Sequence, residues 1–407
     1  MTDARDSERV AYYGLPAEVE FCKRCVISNQ RPSSVVEFKN RPANKKPTIG
    51  FGEDGICEAC RYAEIKQAIN WAARERELAA LCDRFRSRDG SYDCIVPGSG
   101  GKDSAFVSHM LKYKYGMNPL TVTWAPHKYT DIGWQNFQSW IHAGFDNILY
   151  TPNGKVHRLL TRLAFENLCH PFQPFIIGQR MIGPRFSALY GIPLVFYGEN
   201  PAEYGNDIKE NDNPTMDMSF FYDSSRDFNS LYLGGYSVRE LVNQFGVSIN
   251  DLNPYIPLDG ERLCKVGTQV HYFGYYVKWD PQENYYYATE HTGFKPNPER
   301  TEGSYSKYSS IDDRIDVLHY YTTYIKFGLG RASYDAAQEI RSGKITREEG
   351  VSLVRRYDSE FPSKYFSEIL DYMNINEERF WNIIDRARSP HLWRKEDGQW
   401  LLRHQVS

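Results

Sequence analysis

Hydrophobic positions change their spacing several times along the chain, and each change marks an element. Between Glu64 and Arg86 the apolar residues Ile65, Ile69, Ala72, Ala73 and Leu78 recur every three to four positions, the period of a helix face. Tyr92–Val96 (YDCIV) is a short apolar run of buried-strand type. It leads into PGSGGKDS and a helix-like stretch, AFVSHMLKYKY, stopped at Gly116. Pro119–Trp124 (PLTVTW), Asn147–Tyr150 (NILY) and Ile192–Tyr197 (IPLVFY) repeat the strand texture, with helical patterns over Asp131–Ala143 and Val156–Leu168. Strands alternating with helices predict right-handed βαβ units, hence an α/β chain with a doubly wound parallel sheet.

Polar segments divide the rest. Residues 1–20 show no period and read as an N-terminal arm. Residues 21–63 hold paired cysteines around a Pro-, Asn- and Lys-rich middle, too polar for a core, and read as loops around a metal. Residues 64–215 carry the α/β pattern and end in an acidic, Asn-rich run, GENPAEYGNDIKENDNPTMD, expected as a long loop. Residues 216–310 are rich in Tyr and Phe. Within them His271–Phe294 is expected as two strands around an Asp280-Pro281 turn, or else as a platform that stacks a sugar or base. Residues 311–407 read as helical: Thr346 and Glu349 spell a capping box, Gly343 a helix stop, and Asn376 an N-cap for EERFWNIIDRA.

The 407 residues suggest two or three domains. Lys and Arg number 49 against 52 Asp and Glu, a net charge of −3. That balance argues against wrapping a nucleic-acid backbone. No apolar run approaches the roughly 18 residues that span a bilayer, and MTDARDSERV has no apolar signal core. A cytoplasmic protein is expected.

Eight cysteines in a large chain without an export signal argue for thiols rather than disulfides. Cys22 and Cys25, with Cys57 and Cys60, form two C-x-x-C pairs. Two such pairs suit one tetrahedral metal, normally structural Zn²⁺, with an iron–sulfur cluster as the other four-thiolate possibility. Cys169 beside His170 is better explained by core packing than by nucleophilic chemistry.

The strongest chemical signal is Ser99-Gly100-Gly101-Lys102-Asp103-Ser104, between a strand and a helix. Glycines let backbone N–H groups approach an anion, and a helix N-terminus adds positive charge. The spacing fits neither a Walker A loop nor a dinucleotide fingerprint. Gly198, Glu199 and Asn200 end another strand, where ligand crevices of such sheets open. Lys326 and Arg331 flank a Gly-rich turn and are candidate clamps for an anionic substrate. Arg180, Arg185 and Lys265 are weaker candidates of the same kind.

SGGKDS resembles the pyrophosphate loop of the PP-loop ATP pyrophosphatases. Together with the cysteine pairs, GENPAEYG and KFGLGRASYDAAQEIRSGKITREEGVSLVRRYD, it resembles the N-acetyl sugar amidotransferase (WbpG-like) family of surface-polysaccharide synthesis, from Cys22 to about Asp358. The resemblance implies an ATP-binding loop at Ser99–Ser104 with Thr123 and Gly198. It implies catalytic roles for Lys102, Asp103, Glu199 and Lys326, and substrate contacts from Glu199, Asn200, Lys326 and Arg331. Mg²⁺ would accompany ATP. The reaction implied is adenylation of an acetamido oxygen on a nucleotide sugar, such as a UDP-linked diacetamido mannuronic acid of O-antigen, followed by ammonia. No glutaminase signature is present, which fits ammonia supply by HisH-like and HisF-like partners. A PP-loop tRNA-modifying enzyme is the alternative.

Overall fold

The computed structural model describes residues 10–205 and 213–407. Its centre is a five-stranded, wholly parallel sheet built from β1 (Cys94–Pro97), β2 (Pro119–Trp124), β3 (Asn147–Tyr150), β4 (Leu194–Tyr197) and β5 (Gln269–Tyr272), in the order β3-β2-β1-β4-β5. Cys94 is in register with Pro119 on one side and Leu194 on the other. Side chains alternate across this sheet. Ile95, Val195 and Val270 face one core, while Cys94, Val96, Leu194 and Phe196 face another. Helices therefore cover both faces, and the apolar strand runs are accounted for.

The first core is sealed by α5 (Gly154–Leu168) and α6 (Gln173–Tyr190), the second by α2 (Trp71–Phe85) and α3 (Lys102–His109). The stretch expected as one helix from Glu64 is two, α1 (Glu58–Ala68) and α2, because Asn70 caps a new start by accepting from the Ala73 N–H. Helix α4 (Asp131–His142) starts on a Thr130 cap. Helix α6 is apolar almost all round and contains Pro184. Gly178 lets it approach the sheet so closely that a Cβ there would lie 2.2 Å from the Trp124 ring.

Two expectations are corrected. His271–Phe294 is not a pair of strands. It begins in β5 and ends in α7 (Pro281–Thr292), because Asp280 accepts from the Gln282 and Glu283 N–H groups and Pro281 occupies the first helical turn. Tyr287 of α7 packs inward, 5.1 Å from Phe106, and Tyr285 stacks on Tyr308 at 4.6 Å, while Tyr286 is exposed. The tail is helical over α8 (Asp316–Phe327), α9 (Arg331–Arg341), α10 (Arg347–Tyr357), α11 (Phe366–Met373) and α12 (Glu377–Ala387), with the Thr346 and Asn376 caps as expected. It then closes in an antiparallel hairpin, β6 (Trp393–Glu396) and β7 (Gln399–Leu402).

The cysteine module packs beside Ala336, Ala337 and Val354 of α9 and α10. Of the N-terminal arm, the Tyr13 hydroxyl donates to the Ala387 carbonyl at 2.8 Å, and residues 1–9 lie outside the described residues. So do residues 206–212 of the acidic loop. The described start of that loop is a short 3-10 turn, Pro201–Tyr204. No helix among the described residues is long and apolar enough to cross a membrane.

Candidate active site

The strand order reverses between β1 and β4. Loops leaving their carboxyl ends diverge there and leave a crevice, the usual ligand position in such sheets. From β1 the chain enters Gly98–Gly101 and then α3. Gly100 has φ +82°, and a Cβ on it would lie 2.7 Å from the Phe137 Cα. Only glycine fits, so the loop takes a turn that a side chain would block, at the start of a helix whose N-terminus favours an anion. Gly100→Ala is expected to cost about 2 kcal/mol of stability and to weaken nucleotide binding, read by thermal melting and calorimetric titration.

Two cavities meet at this loop. One, of about 360 Å³, is lined by Pro97, Ser99, Ser104, Gly198 and Arg180 among others. The second, of about 460 Å³, is lined by Lys102, Asp316, Tyr308, Tyr320 and Arg331 among others. Asp103, Gln179, Glu199 and Tyr204 line both. Lys102 pairs with Asp103, whose other oxygen accepts from Asn284 Nδ2 of α7 at 3.1 Å. Burial raises the Glu199 carboxyl to about 7, the neighbouring Asp103 charge adds to the rise, and Lys102 opposes it. The Tyr204 hydroxyl hydrogen-bonds this carboxylate. Asp316 is also pushed up to about 7, by burial first, with Arg331 pulling the other way. Arg331 is fixed by Asp335 at 3.1 Å and lies 4.5 Å from the centre of the Tyr320 ring. The junction therefore sets anionic and cationic groups, two of the acids near neutrality, around one point.

Ser99, Gly101, Lys102, Asp103, Ser104, Gly198, Glu199 and Arg331 are thus brought together. Four other expected site residues are not among the residues lining the cleft: Gly100, which turns against the Phe137 backbone, and Asn200, Thr123 and Lys326. Asn200 is buried and caps the 3-10 turn, accepting from the Ala202 N–H at 3.1 Å. Thr123 lies inside β2, where its hydroxyl accepts from Asn147 at 3.0 Å. Lys326 sits in the last turn of α8 beneath α5. Its ammonium donates to the Leu168 carbonyl at 2.7 Å and lies 4.8 Å from the centre of the Tyr13 ring. Burial pushes it down to about 7, helped by Lys46. Between that value and the ordinary lysine range the unfolded chain holds a proton the folded chain lacks, so stability rises with pH. Below about 7 the burial penalty is fully present. Lys326→Met is therefore expected to gain more in Tm, relative to the native chain, at pH 6 than at pH 9.

Tyr204, Asn284, Asp316 and Asp335 were not legible as site residues. The nearest signal is the Arg331–Asp335 spacing of i, i+4.

The four paired cysteines are buried, and their sulfurs lie within 4.8 Å of one another. Cys22 and Cys60 are 3.8 Å apart, Cys25 and Cys57 3.7 Å. A tetrahedron with metal–sulfur bonds of about 2.3 Å has edges of about 3.8 Å. Backbone N–H groups of Arg24 and Cys57 point at Cys22 Sγ at 3.4 Å, which supports a thiolate there. The cluster can hold zinc, and with four protein ligands the site is structural.

Residues 302–406 match the family model described as the C-terminal domain of WbpG-like LPS biosynthesis proteins. Over those residues the chain is similar to WbpG-like proteins, and the same stretch supplies Asp316, Tyr320, Arg331 and Asp335 to the second cavity. An uncharacterized protein of Methanocaldococcus jannaschii is 32% identical over 77 residues, 19% of this chain and 27% of that protein. The chain therefore spans about a quarter of that relative's length.

Proposed function

We propose that the protein is an ATP-dependent amidotransferase of polysaccharide biosynthesis. Its reaction converts an acetamido group of a nucleotide sugar to an acetamidino group. The observation that carries this reading is the junction: a phosphate-loop geometry opens on one cavity, and a second cavity, walled by the WbpG-like domain, meets it at Asp103 and Glu199. In this reading the first cavity takes ATP, and the second presents the amide oxygen to it.

An amide carbonyl is a poor electrophile because its oxygen leaves badly. Attack of that oxygen on the α-phosphorus of ATP expels pyrophosphate and forms an O-adenylyl imidate. Ammonia adds to the imidate carbon, loses a proton, and AMP departs with the oxygen. The sum is amide, ATP and ammonia giving amidine, AMP and pyrophosphate. Backbone N–H groups of Ser99–Gly101 and the Lys102 ammonium offset charge on the departing pyrophosphate. Mg²⁺, when bound, would add electrostatic stabilisation of the phosphates, and Asp103 and Glu199 are the carboxylates that would hold it. Arg331, held rigid by Asp335, offers a preformed fork to an anionic group of the sugar nucleotide. Ammonia from a partner glutaminase fits the lack of a glutaminase motif.

The test is incubation with Mg·ATP, an ammonium salt and UDP-diacetamido mannuronic acid, followed by mass spectrometry. AMP with a sugar in which NH has replaced one amide oxygen supports the reading. Turnover of ATP on bulk tRNA with the sugar unchanged would replace it with the tRNA-modifying alternative.

A further inference from the structure

Arg31 lies in the polar stretch between the cysteine pairs, yet it is only 7% exposed. Its guanidinium donates to the Tyr204 carbonyl. It also rests against two rings, 5.7 Å from the centre of Tyr204 and 5.4 Å from that of Tyr334. Its own backbone is pinned within the cysteine module: its N–H donates to the Ser28 carbonyl at 3.1 Å, and its carbonyl accepts from Ile49 at 2.9 Å. Tyr204 in turn hydrogen-bonds the Glu199 carboxylate. The rest of this short loop is gripped from the same side. Lys66 of α1 pairs with Glu203, and Arg341 of α9 donates to the Glu203 carbonyl at 3.0 Å. Gly205, at φ +77°, would bring a Cβ to 2.9 Å from the Ala59 nitrogen.

We infer that Arg31 is a positioning residue: acting through Tyr204, it fixes Glu199 at the junction of the two cavities, so that the cysteine module sets the geometry of the cleft. Two aromatic faces and a carbonyl acceptor are a recognition problem for a planar guanidinium. A lysine ammonium presents a point charge and cannot stack on both rings. Arg31 thus holds Tyr204 at both its carbonyl and its ring, and the hydroxyl at the far end of that ring meets Glu199. The inference rests on the proposed function only for the role of Glu199 beside the nucleotide.

The experiment uses the full-length, zinc-loaded chain. Mn²⁺ binding in the presence of a non-hydrolysable ATP analogue is followed by electron paramagnetic resonance, which requires no sugar. Failure of the sugar assay therefore leaves this measurement intact. Arg31→Met and Tyr204→Phe are each expected to weaken Mn²⁺·nucleotide binding by about tenfold, with zinc content and Tm unchanged. In a Glu199→Gln background neither substitution adds to the loss. Arg31→Lys does not restore binding. Losses that persist in the Glu199→Gln background, or Tyr204→Phe binding like the native protein, would overturn the inference. Should Arg31→Met lose its zinc, Tyr204→Phe alone decides, since it leaves the module untouched.

Discussion

Asp103→Asn is expected to lower ATP-dependent turnover by about a hundred- to a thousandfold while leaving Tm unchanged. Asparagine keeps the volume and the oxygen that accepts from Asn284. What it removes is charge, at a residue that lines both cavities. Lys102 loses its partner, and in the proposed reaction Mg²⁺ would lose one of its two carboxylates. Glu199 cannot take over. Asp103 is a like charge that helps keep Glu199 protonated, so the substitution lets Glu199 ionise more readily, but a single carboxylate then serves where two stood. The measurement is turnover and thermal melting on one preparation. A variant with more than about a tenth of native turnover at native Tm would remove Asp103 from the reaction.

The site was legible in the sequence where backbone geometry dictates residue type. SGGKDS announces itself because only glycine tolerates the Gly100 conformation and its contact with Phe137. Strands β1, β2 and β4 were legible because buried parallel strands leave apolar runs. Helix α6 was not, since Pro184 and an apolar sequence on every side hide the helical period. The fifth strand was misassigned as part of a hairpin because Asp-Pro reads equally as a turn and as a helix start. The terminal hairpin did carry its signal. Asp397 and Gly398 both take positive φ, 48° and 82°, which suits a tight two-residue turn, but a run of helices before it masked the pattern. Lys326 was placed in the site for its charge. Nothing local says which face of α8 is buried, and that face decides whether the ammonium meets substrate or the Leu168 carbonyl. Tyr204 and Asp316 are brought in by tertiary packing alone.

Cys57→Ser is expected to release the metal and to destabilise the chain by more than about 4 kcal/mol. Serine oxygen is a poor zinc ligand beside three thiolates, and the remaining sulfurs, 3.8 Å apart across Cys22 and Cys60, are then crowded without a cation between them. The metal is what joins the two cysteine pairs. Around it the cysteines pack with Val26, Ile27, Ile49 and Ala59 against Ala336, Ala337 and Val354. Arg347 donates to the Cys25 and Cys22 carbonyls at 3.2 and 3.4 Å, and Arg341 donates to the Glu203 carbonyl at 3.0 Å. Losing the metal therefore frees α9 and α10 on one side and the Glu203–Gly205 turn on the other. The loss is expected as zinc content near zero by elemental analysis, a lower Tm and new protease cleavage within residues 21–62. Cys264→Ser is the control, because that thiol is exposed and outside the cluster; its zinc and Tm stay native. If Cys57→Ser kept a full equivalent of zinc at native Tm, the four thiols would not be the ligand set, and the cleft would have to be held by packing alone.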